Sequence, residues 1–260
     1  MQRRPSPRRV YSSTGLRADG ARGVLVGCVL ASGLLAGIAA SDLAAQTVVP
    51  VHEEPRHRLV HESAALQVLD IGFQPGDTTL FHRHDRPIAY VEIDATVVNQ
   101  QRLGGPWGRV VGTRAPPRRA PGRVSWNEGY ADVPLEHRVT AIGPGPFRLI
   151  GVVSLGFGDE SGRTGPLGPF EAAHDSSRYF SQVRVEMDAG QAVEWPPTDA
   201  PVVMVLASAG ELSVESEQPA PDVAAHLVGA GAFSVLAPGT SLRIRNLGSG
   251  PVALSFVEVR

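Results

Sequence analysis

The sequence predicts an all-β protein made of two similar antiparallel sandwiches or barrels in tandem. Glycine and proline are abundant, with 29 and 22 of 260 residues, and helix-period patterns are scarce. Short alternating or β-branched runs are separated by turn signals such as Gln74-Pro75-Gly76-Asp77 and Ala237-Pro238-Gly239-Thr240, a pattern typical of antiparallel sheets. Two parts of the chain also resemble each other, which indicates that one structural unit occurs twice.

The predicted strands fall into two sets of four. The first set is Ala65–Ile71, Ala89–Val98, Val139–Ile142 and Phe147–Val153, and the second is Val183–Met187, Val202–Ala207, Ala232–Leu236 and Val252–Val259. The stretch Gln100–Val124, rich in Pro, Gly and Arg, predicts a long disordered loop. The stretch Gly158–Ser177, rich in Gly, Ser and Asp, predicts the connection between the two units.

The internal repeat sets the expected domain boundaries. Gly76–Ala95 aligns with Gly190–Ala209 at a shift of 114 residues, and Arg138–Leu149 aligns with Arg243–Leu254 at a shift of 105. A repeat of this length indicates two similar domains rather than a solenoid. We therefore expect one domain over residues 46–157, a linker over 158–180, and a second domain over 181–260.

The N-terminal region predicts an export signal over residues 1–45. Arginines surround the start of an apolar run from Val24 to Ala40, and small residues follow at Ala44-Ala45-Gln46, as in secretory leaders. The run is about 17 residues long, which is short for a membrane span. We expect cleavage near Ala45, export to the periplasm or the extracellular space, and no stable membrane span afterwards; a retained anchor is the alternative.

The composition excludes several classes of function. All 24 basic residues are arginine, which excludes catalytic lysine chemistry. Removal of residues 1–45 would leave 18 arginines against 24 acidic residues, a net charge of −6, and an acidic domain is a poor nucleic-acid binder. The one cysteine, Cys28, lies in the leader, so the mature protein would have neither disulfides nor thiol catalysis.

The most informative residues are the histidines of Phe81-His82-Arg83-His84. Alternate side chains of a strand point to the same face, so His82 and His84 form a chelating pair. A third histidine, His137, follows 53 residues after His84 and is placed to complete a metal site from a neighbouring strand. Three neutral imidazoles leave coordination positions open for water or substrate, as catalytic metal sites require.

With these residues the chain resembles the cupin superfamily in its two-domain, bicupin form. Gly76, His82 and His84 match the first cupin motif, which is a glycine, five residues and His-x-His, and His137 with Gly143 matches the histidine and glycine of the second. The resemblance covers essentially the whole mature chain. It implies two double-stranded β-helix (jelly-roll) barrels and one divalent ion, Fe, Mn, Zn or Ni, bound by His82, His84 and His137.

The sequence departs from the family pattern in two respects. The family's glutamate ligand should fall at Pro87 or Ile88, neither of which binds metal. In the second domain, Pro196, Thr198 and Leu242 stand where the three histidines would be, so we expect that barrel to lack a metal. The candidates for a fourth ligand in the first domain are Asp85, Glu92 and Glu136.

The other histidines and the aromatic residues are expected to have simpler roles. The histidines near the start of the mature chain should lie on a solvated arm, and the two later ones at the surface: His52, His57 and His61, then His174 and His226. Four aromatic residues either line the mouth of the pocket or fill the core: Tyr90, Trp107, Trp126 and Tyr130.

Three functions remain open at this point. The first is an enzyme with a dioxygenase-type or isomerase-type reaction on a small organic molecule at the three-His centre. The second is a module that binds a small molecule without turnover. The third is a structural pair of barrels with a vestigial metal site. The expected partners are a small-molecule ligand and a second copy of the chain in a homodimer.

Overall fold

The computed structural model describes residues 47–109, 120–159, 165–169, 175–216 and 221–260. Before residue 160 the strands are β1 (Val48–Pro50), β2 (His57–Glu62), β3 (Leu66–Phe73), β4 (Phe81–His84), β5 (Ile88–Asp94), β6 (Val98–Arg102), β7 (Trp107–Arg109), β8 (Val124–Asn127), β9 (Leu135–Ala141) and β10 (Phe147–Ser154). After residue 174 they are β11 (Asp175–Ser176), β12 (Phe180–Met187), β13 (Ala192–Trp195), β14 (Val202–Leu206), β15 (Glu211–Ser216), β16 (His226–Val228), β17 (Ala232–Leu236), β18 (Leu242–Asn246) and β19 (Val252–Val259).

The described residues contain one other regular element, a single turn of 3-10 helix at Val51–Glu53. Nothing helical in these ranges has the length and apolar character needed to cross a membrane. The predicted leader, residues 1–45, lies outside the described residues.

The strands form four sheets, two from each half of the chain. Sheet A has the order β1-β4-β9-β6-β7 and sheet B the order β2-β3-β10-β5-β8. Sheet C has the order β11-β12-β19-β14-β17 and sheet D the order β13-β18-β15-β16. Neighbouring strands are antiparallel except β1 and β4, which are parallel. The predicted fold class, all-β with two jelly-roll barrels in tandem, is confirmed.

Each barrel encloses its own core between two sheets. Sheets A and B bury Leu69, Ile71, Val98, Ala141 and Val153 between them. Sheets C and D enclose a larger and wholly apolar cluster, in which Trp195 stacks on Phe256 with ring centroids 4.2 Å apart. Along each strand the side chains alternate between the two faces, so every sheet also has an outer face.

The outer faces of sheets B and C pack against each other. Their shared cluster includes Val68, Val91 and Ile150 from sheet B and Val205 and Val257 from sheet C. The near-continuous burial of β10 and β19 follows from this arrangement, because both faces of the strand are covered. The layers therefore run in the order A, B, C, D, and sheet A is the outermost layer of the first half.

The strand registers of sheets B and C reproduce the residue shifts of the internal sequence repeat. Ile150 of β10 pairs with Asp70 and Val91, and Ser255 of β19 pairs with Arg184 and Val205. Asp70 and Arg184 are 114 residues apart, and Ile150 and Ser255 are 105 apart, which are the two shifts of the sequence alignment.

Two segments differ from the sequence expectation. Parts of the loop predicted at Gln100–Val124 belong to β6 and β7, which form the edge of sheet A; residues 110–119 lie outside the described residues. Parts of the expected linker belong to the second barrel, since β11 pairs with β12 and Leu167 is fully buried in the core between sheets C and D.

Candidate metal centre

Sheet A brings the three predicted ligands together. His82 and His84 lie on the same face of β4, and His82 pairs directly with His137 of β9. Directly opposed residues of an antiparallel pair project to the same side of the sheet. That side is the barrel interior, because Val139 and Ala141, which lie on the same face of β9 as His137, pack into the core between sheets A and B.

The three imidazoles form a compact and buried cluster. Their ring centroids are 5.0 Å apart for His82 and His84, 4.6 Å for His82 and His137, and 5.1 Å for His84 and His137. One nitrogen from each ring lies within 4.8 Å of the other two. All three side chains are at least nine-tenths buried.

Three ring nitrogens of this cluster lack the hydrogen-bond partners that buried polar atoms normally have. The Nδ1 atom of His82 donates to the carbonyl of Leu80 at 3.0 Å, because a carbonyl oxygen can only accept. Its Nε2 atom therefore carries the lone pair, and it has no hydrogen bond. Both ring nitrogens of His137 are also buried without a partner. A divalent ion that accepts imidazole ligands would satisfy these lone pairs, so the donor set fits a metal.

The environment keeps the three rings in the neutral form that binds metal. Burial, together with the nearby ring of His57, lowers the pKa of His82 to about 4. Burial and the neighbouring His82 lower the pKa of His137 to about 3. Burial and His137 also hold the pKa of His84 well below its ordinary value. The cluster thus presents three uncharged ligands at neutral pH.

None of the acidic residues proposed as a fourth ligand joins the cluster. Asp85 and Glu136 lie beside the guanidinium of Arg83, at 3.7 Å and 3.2 Å, and Arg83 is on the opposite face of β4. Glu92 lies 3.9 Å from Arg123. Among the described residues, the group with ligand atoms close enough for one ion consists of the three histidines alone.

The expectation that His57 lies on a solvated arm is wrong. His57 is the first residue of β2 and is 5% exposed, because it pairs with Ile71 of β3 and shares its inward face. Its ring centroid lies 4.5 Å from that of His82, and its Nδ1 atom lies 2.6 Å from the carboxylate of Glu54. His57 therefore faces the cluster from the opposite sheet.

Glu54 is a buried anion. It is 1% exposed, and its carboxylate accepts hydrogen bonds from His57 Nδ1 and from the backbone N–H groups of Arg56 and Leu80. Burial alone would raise the pKa of Glu54, but these hydrogen bonds and the charge of His57 lower it. The carboxylate is thus ionised and fixed in position.

Three other described histidines lie away from the cluster. His52 is partly exposed, and His61 is half-buried with its Nδ1 atom 4.0 Å from Asp222. His226 is exposed and lies 3.8 Å from Glu211. His174 lies outside the described residues.

The aromatic residues divide between the site and the packing of the barrels. The ring of Tyr130 lies 4.9 Å from the ring of His84, at the edge of the cluster. Tyr90 packs into the core of the first barrel. Trp126 packs in the cluster between sheets B and C, and Trp107 lies on the outer face of sheet A under the guanidinium of Arg138.

Arg102, which sequence reasoning missed, lies beside His137. It pairs with His137 across β6 and β9, so the row His82, His137, Arg102 crosses three strands on the inner face of sheet A. The Arg102 side chain is exposed at the end of β6, and within the described ranges it forms no side-chain hydrogen bond or ion pair. The signal for it is the register between β6 and β9, which the sequence does not show.

The second barrel fills the corresponding space with apolar side chains. Trp195, not Pro196, pairs with Leu242, so the register differs by one residue from that of His82 and His137. Trp195 and Leu242 both belong to the apolar core. Thr198 is buried, and its hydroxyl donates to the carbonyl of Ala200 at 2.8 Å.

No protein-family model and no curated protein matches this sequence. Among solved structures, AerE from Microcystis aeruginosa has a TM-score of 0.50 at 7% sequence identity, covering 80% of this chain and 98% of that one. Salicylate 1,2-dioxygenase from Pseudaminobacter salicylatoxidans has a TM-score of 0.48 at 9% identity, covering 76% and 71%. A cupin 2 conserved barrel domain protein from Leptotrichia buccalis has a TM-score of 0.43 at 6% identity, covering 78% and 87%.

Similarity at this level of identity concerns the fold and not the reaction. The four sheets form two jelly-roll barrels in tandem, and the first barrel carries a His-x-His pair and a third inward histidine. The chain thus has two jelly-roll barrels in tandem, with a three-histidine cluster inside the first barrel.

Proposed function

We propose that this protein binds one divalent metal ion through His82, His84 and His137 and acts there on a small organic anion. The observation that supports the metal is the set of buried imidazole nitrogens without hydrogen-bond partners. Leaving such atoms unpaired in a folded protein costs about 1–3 kcal/mol each. The reaction we propose is a dioxygenase-type or isomerase-type conversion, because three protein ligands leave open positions on the metal.

The residues around the cluster have distinct parts in this function. The bound ion would supply Lewis acidity at the floor of the pocket. His82, His84 and His137 would hold it, and Tyr130 would shield one side of His84 from water. The buried aliphatic side chains of sheet B, such as Ile71 and Ile88, close the opposite side of the barrel.

Arg102 supports the choice of an anionic substrate. Its guanidinium lies beside His137 at the end of β6 and has no acidic partner in the described part of the chain, so it is free to pair with a carboxylate. Arginine binds carboxylates through two parallel hydrogen bonds. A molecule that bound the metal through one oxygen group and Arg102 through another would be held at two points.

Metal analysis of the purified mature protein tests the metal site. We expect about one ion per chain after reconstitution with Fe(II), Mn(II), Ni(II) or Zn(II), and loss of that ion in His82→Ala and His137→Ala. His226→Ala, which removes an exposed histidine of the second barrel, is the matched control and should keep the ion. Stoichiometric metal that persists in both ligand variants would contradict the assignment.

A carboxylate probe tests the substrate class. In the metal-loaded protein, Arg102→Gln should weaken binding of malonate by about tenfold, which is about 1.4 kcal/mol, and should leave binding of the neutral malonamide within about twofold. Isothermal titration calorimetry measures both. Arg83→Gln, on the outer face of the same sheet, should change neither, and an equal loss for both probes would show that Arg102 does not select for charge.

Reaction class and location have their own tests. Oxygen uptake by the iron-loaded protein with a panel of organic acids would separate a dioxygenase from an isomerase, and saturable binding without product would favour the non-catalytic alternative.

We also propose that the protein is exported after cleavage near Ala45, and that it forms a homodimer. The mass of the secreted chain and its size in solution by light scattering test these two proposals.

A further inference from the structure

We propose that a cavity on the outer face of sheet B binds a phosphate group, a dianion, through Arg56, Arg58 and Arg148. The cavity has a volume of about 310 Å³, which is at the lower end of the range for small-molecule sites. It is lined by Pro55, Arg56, Arg58, Asp70, Gly72 and Arg148. The inference is independent of the proposed metal function, because the three histidines lie inside the first barrel and this cavity lies outside it.

The strand register of sheet B brings the arginines together. Arg58 of β2 pairs with Asp70 of β3, and Arg148 of β10 pairs with Gly72, two residues further along β3. Directly opposed residues share a face, and so do alternate residues of one strand. The segment before β2 adds Arg56, whose carbonyl accepts the N–H of Gly72 at 3.0 Å. The three guanidinium groups therefore border one space.

This cavity has an excess of positive charge. Its lining contains three arginines and one acidic residue, Asp70, which leaves two positive charges. Two further carboxylates, those of Asp77 and Asp94, line the adjoining cavity of about 370 Å³. A dianion is thus matched to the first cavity, and the carboxylates of the second would repel it.

Arg56 and Arg58 keep hydrogen-bond donors for a ligand. A guanidinium has five N–H donors. Arg58 donates one to Asp70 at 2.5 Å, and Arg56 donates one to Asp77 at 3.3 Å. Within the described ranges neither guanidinium has another hydrogen-bond partner. Each can therefore offer a pair of parallel N–H groups to an oxyanion, the geometry in which arginine binds phosphate.

Arg148 is held in place by groups from both barrels. Its guanidinium donates to both oxygens of Asp70 and to the carbonyl of Ala230 in the second barrel. The side chain is still 36% exposed. Because these bonds fix the position of Arg148 before a ligand arrives, little conformational entropy is lost there on binding.

Gly72 leaves the floor of the cavity open. It lies on the same face of β3 as Asp70 and lines both cavities. A Cβ atom at this position would lie 3.8 Å from the carbonyl oxygen of Phe147 and 3.9 Å from Cγ of Arg148, which are ordinary contact distances. A larger side chain at position 72 would thus fill the cavity without displacing the backbone.

Titration calorimetry of the full chain with inorganic phosphate tests the site. At about pH 8, where phosphate is a dianion, we expect saturable binding of about one ion per chain. Arg58→Gln should weaken it about tenfold or more, and this variant should fold because the Arg58 side chain is 67% exposed. Arg245→Gln, at an exposed position of β18, is the matched control at the same ionic strength. No saturable binding, or an equal loss in both variants, would overturn the proposal.

A variant that fills the cavity separates this site from a general attraction of anions to arginine. Gly72→Val keeps every charge, so it should keep the parent's thermal midpoint and lose phosphate binding. Gly108→Val, at an open position of β7 where one backbone oxygen lies 3.9 Å away, should bind like the parent. Phosphate binding that survived both Gly72→Val and Arg58→Gln would lie elsewhere, for example at the metal centre, and would overturn the proposal.

Competition experiments define the ligand. Sulfate, also a dianion, should displace phosphate, and nitrate, a monoanion, should not do so at equal ionic strength. Equal competition by nitrate would contradict a dianion site. Glycerol 3-phosphate distinguishes the source of the phosphate group: tighter binding than inorganic phosphate would indicate a phosphate ester whose organic part lies in the adjoining cavity, and weaker binding would indicate the free ion.

Discussion

Gly143 follows β9, the strand of His137, and anchors the turn into β10. Its N–H donates to the carbonyl of Val97 at 3.1 Å. A Cβ atom at this position would collide with Oγ1 of Thr96 and would lie 2.8 Å from the backbone nitrogen of Val97. The match of Gly143 to the second cupin motif thus has a local steric cause, independent of metal binding.

This steric conflict predicts that one added methyl group at position 143 destabilises the protein. Gly143→Ala should lower the free energy of unfolding by about 1–3 kcal/mol, the usual cost of overpacking, because the obstructing atoms include backbone. Gly145→Ala, two residues on and with nothing within 4 Å of its Cβ position, should change it by less than about 1 kcal/mol. Urea denaturation of both variants measures this, and equal effects would contradict it.

The corresponding turn of the second barrel is held by a different residue. Asn246 is fully buried, and its amide donates to the carbonyls of Met187, Asp188 and Gly250. In the first barrel this position is Ala141, whose N–H donates to the carbonyl of Asp77 as the N–H of Asn246 donates to the carbonyl of Gln191. The backbone bond is therefore common to both barrels, and the side-chain amide of Asn246 adds its three hydrogen bonds in the second barrel only.

At the scale of residues, period-two spacing was enough to find His82 and His84, because adjacent ligands on one strand share a face. His137 was found from its spacing and context in the cupin motif. His57 could not be found in this way, since its burial depends on the chain crossing from sheet A to sheet B between β1 and β2. Arg102 could not be found either, because its place beside His137 is a matter of strand register.

At the scale of strands, the registers of sheets B and C correspond, whereas the pairing of β4 with β9 in sheet A differs by one residue from the pairing of β13 with β18 in sheet D. In sheet A an isolated bridge joins Thr78 and Thr140, and the ladder then shifts by one residue before His82 pairs with His137. Sheet D continues without this shift up to Trp195 and Leu242. The extra residue lies near Leu80, whose N–H is bound by Glu54, so the irregular stretch belongs to the metal-binding barrel. A gapless alignment cannot show such a shift.

An ion pair on β3 and β10 also joins the two barrels. Arg148 donates to both carboxylate oxygens of Asp70, and it donates to the carbonyl of Ala230 in the second barrel. Burial alone would raise the pKa of Asp70, but hydrogen bonds from Arg148 and Arg58 lower it. The folded protein therefore binds this proton more weakly than the unfolded chain does, and the pair stabilises the fold above about pH 3.8, the ordinary value for the group.

The lowered pKa of Asp70 predicts how the free energy of unfolding depends on pH. Asp70→Asn should lower the free energy of unfolding at pH 7 by about 1–3 kcal/mol, the range for a hydrogen bond to a charged group. The difference from the parent should shrink as the pH falls below 3.8 and through the lower pKa of the folded state. Asp199→Asn is the control, since Asp199 is exposed and has no side-chain hydrogen bond in the described ranges. A difference that stays constant with pH would contradict this role.

At the scale of the molecule, the second barrel covers the first. The outer face of sheet B is apolar, with Leu66, Val68, Ala89, Val91, Ile150 and Val152 buried against sheet C. The inner face of the same sheet carries His57 and closes the barrel behind the cluster. The second barrel thus supports the site without contributing a ligand. We propose domains over residues 46–157 and 181–260 joined by the stretch 158–180, of which β11 and the buried Leu167 pack with the second barrel.

A charge placed between the barrels should therefore destabilise both. Val205 of β14 is fully buried in the cluster between sheets B and C, so Val205→Asp should lower the free energy of unfolding by about 4 kcal/mol or more. Val228→Asp, at a position 68% exposed on β16, should change it by less than about 0.5 kcal/mol.

Because the two barrels share this cluster, they should lose structure together in Val205→Asp. The near-ultraviolet signal of Trp195, stacked on Phe256 inside the second barrel, reports on one barrel, and Zn(II) binding at the histidines reports on the other. Both signals should be lost at the same urea concentration, and that concentration should be lower than in the parent. Zn(II) binding that survived the loss of the Trp195 signal would show that the first barrel is stable alone, and that the second is not needed to support the metal site.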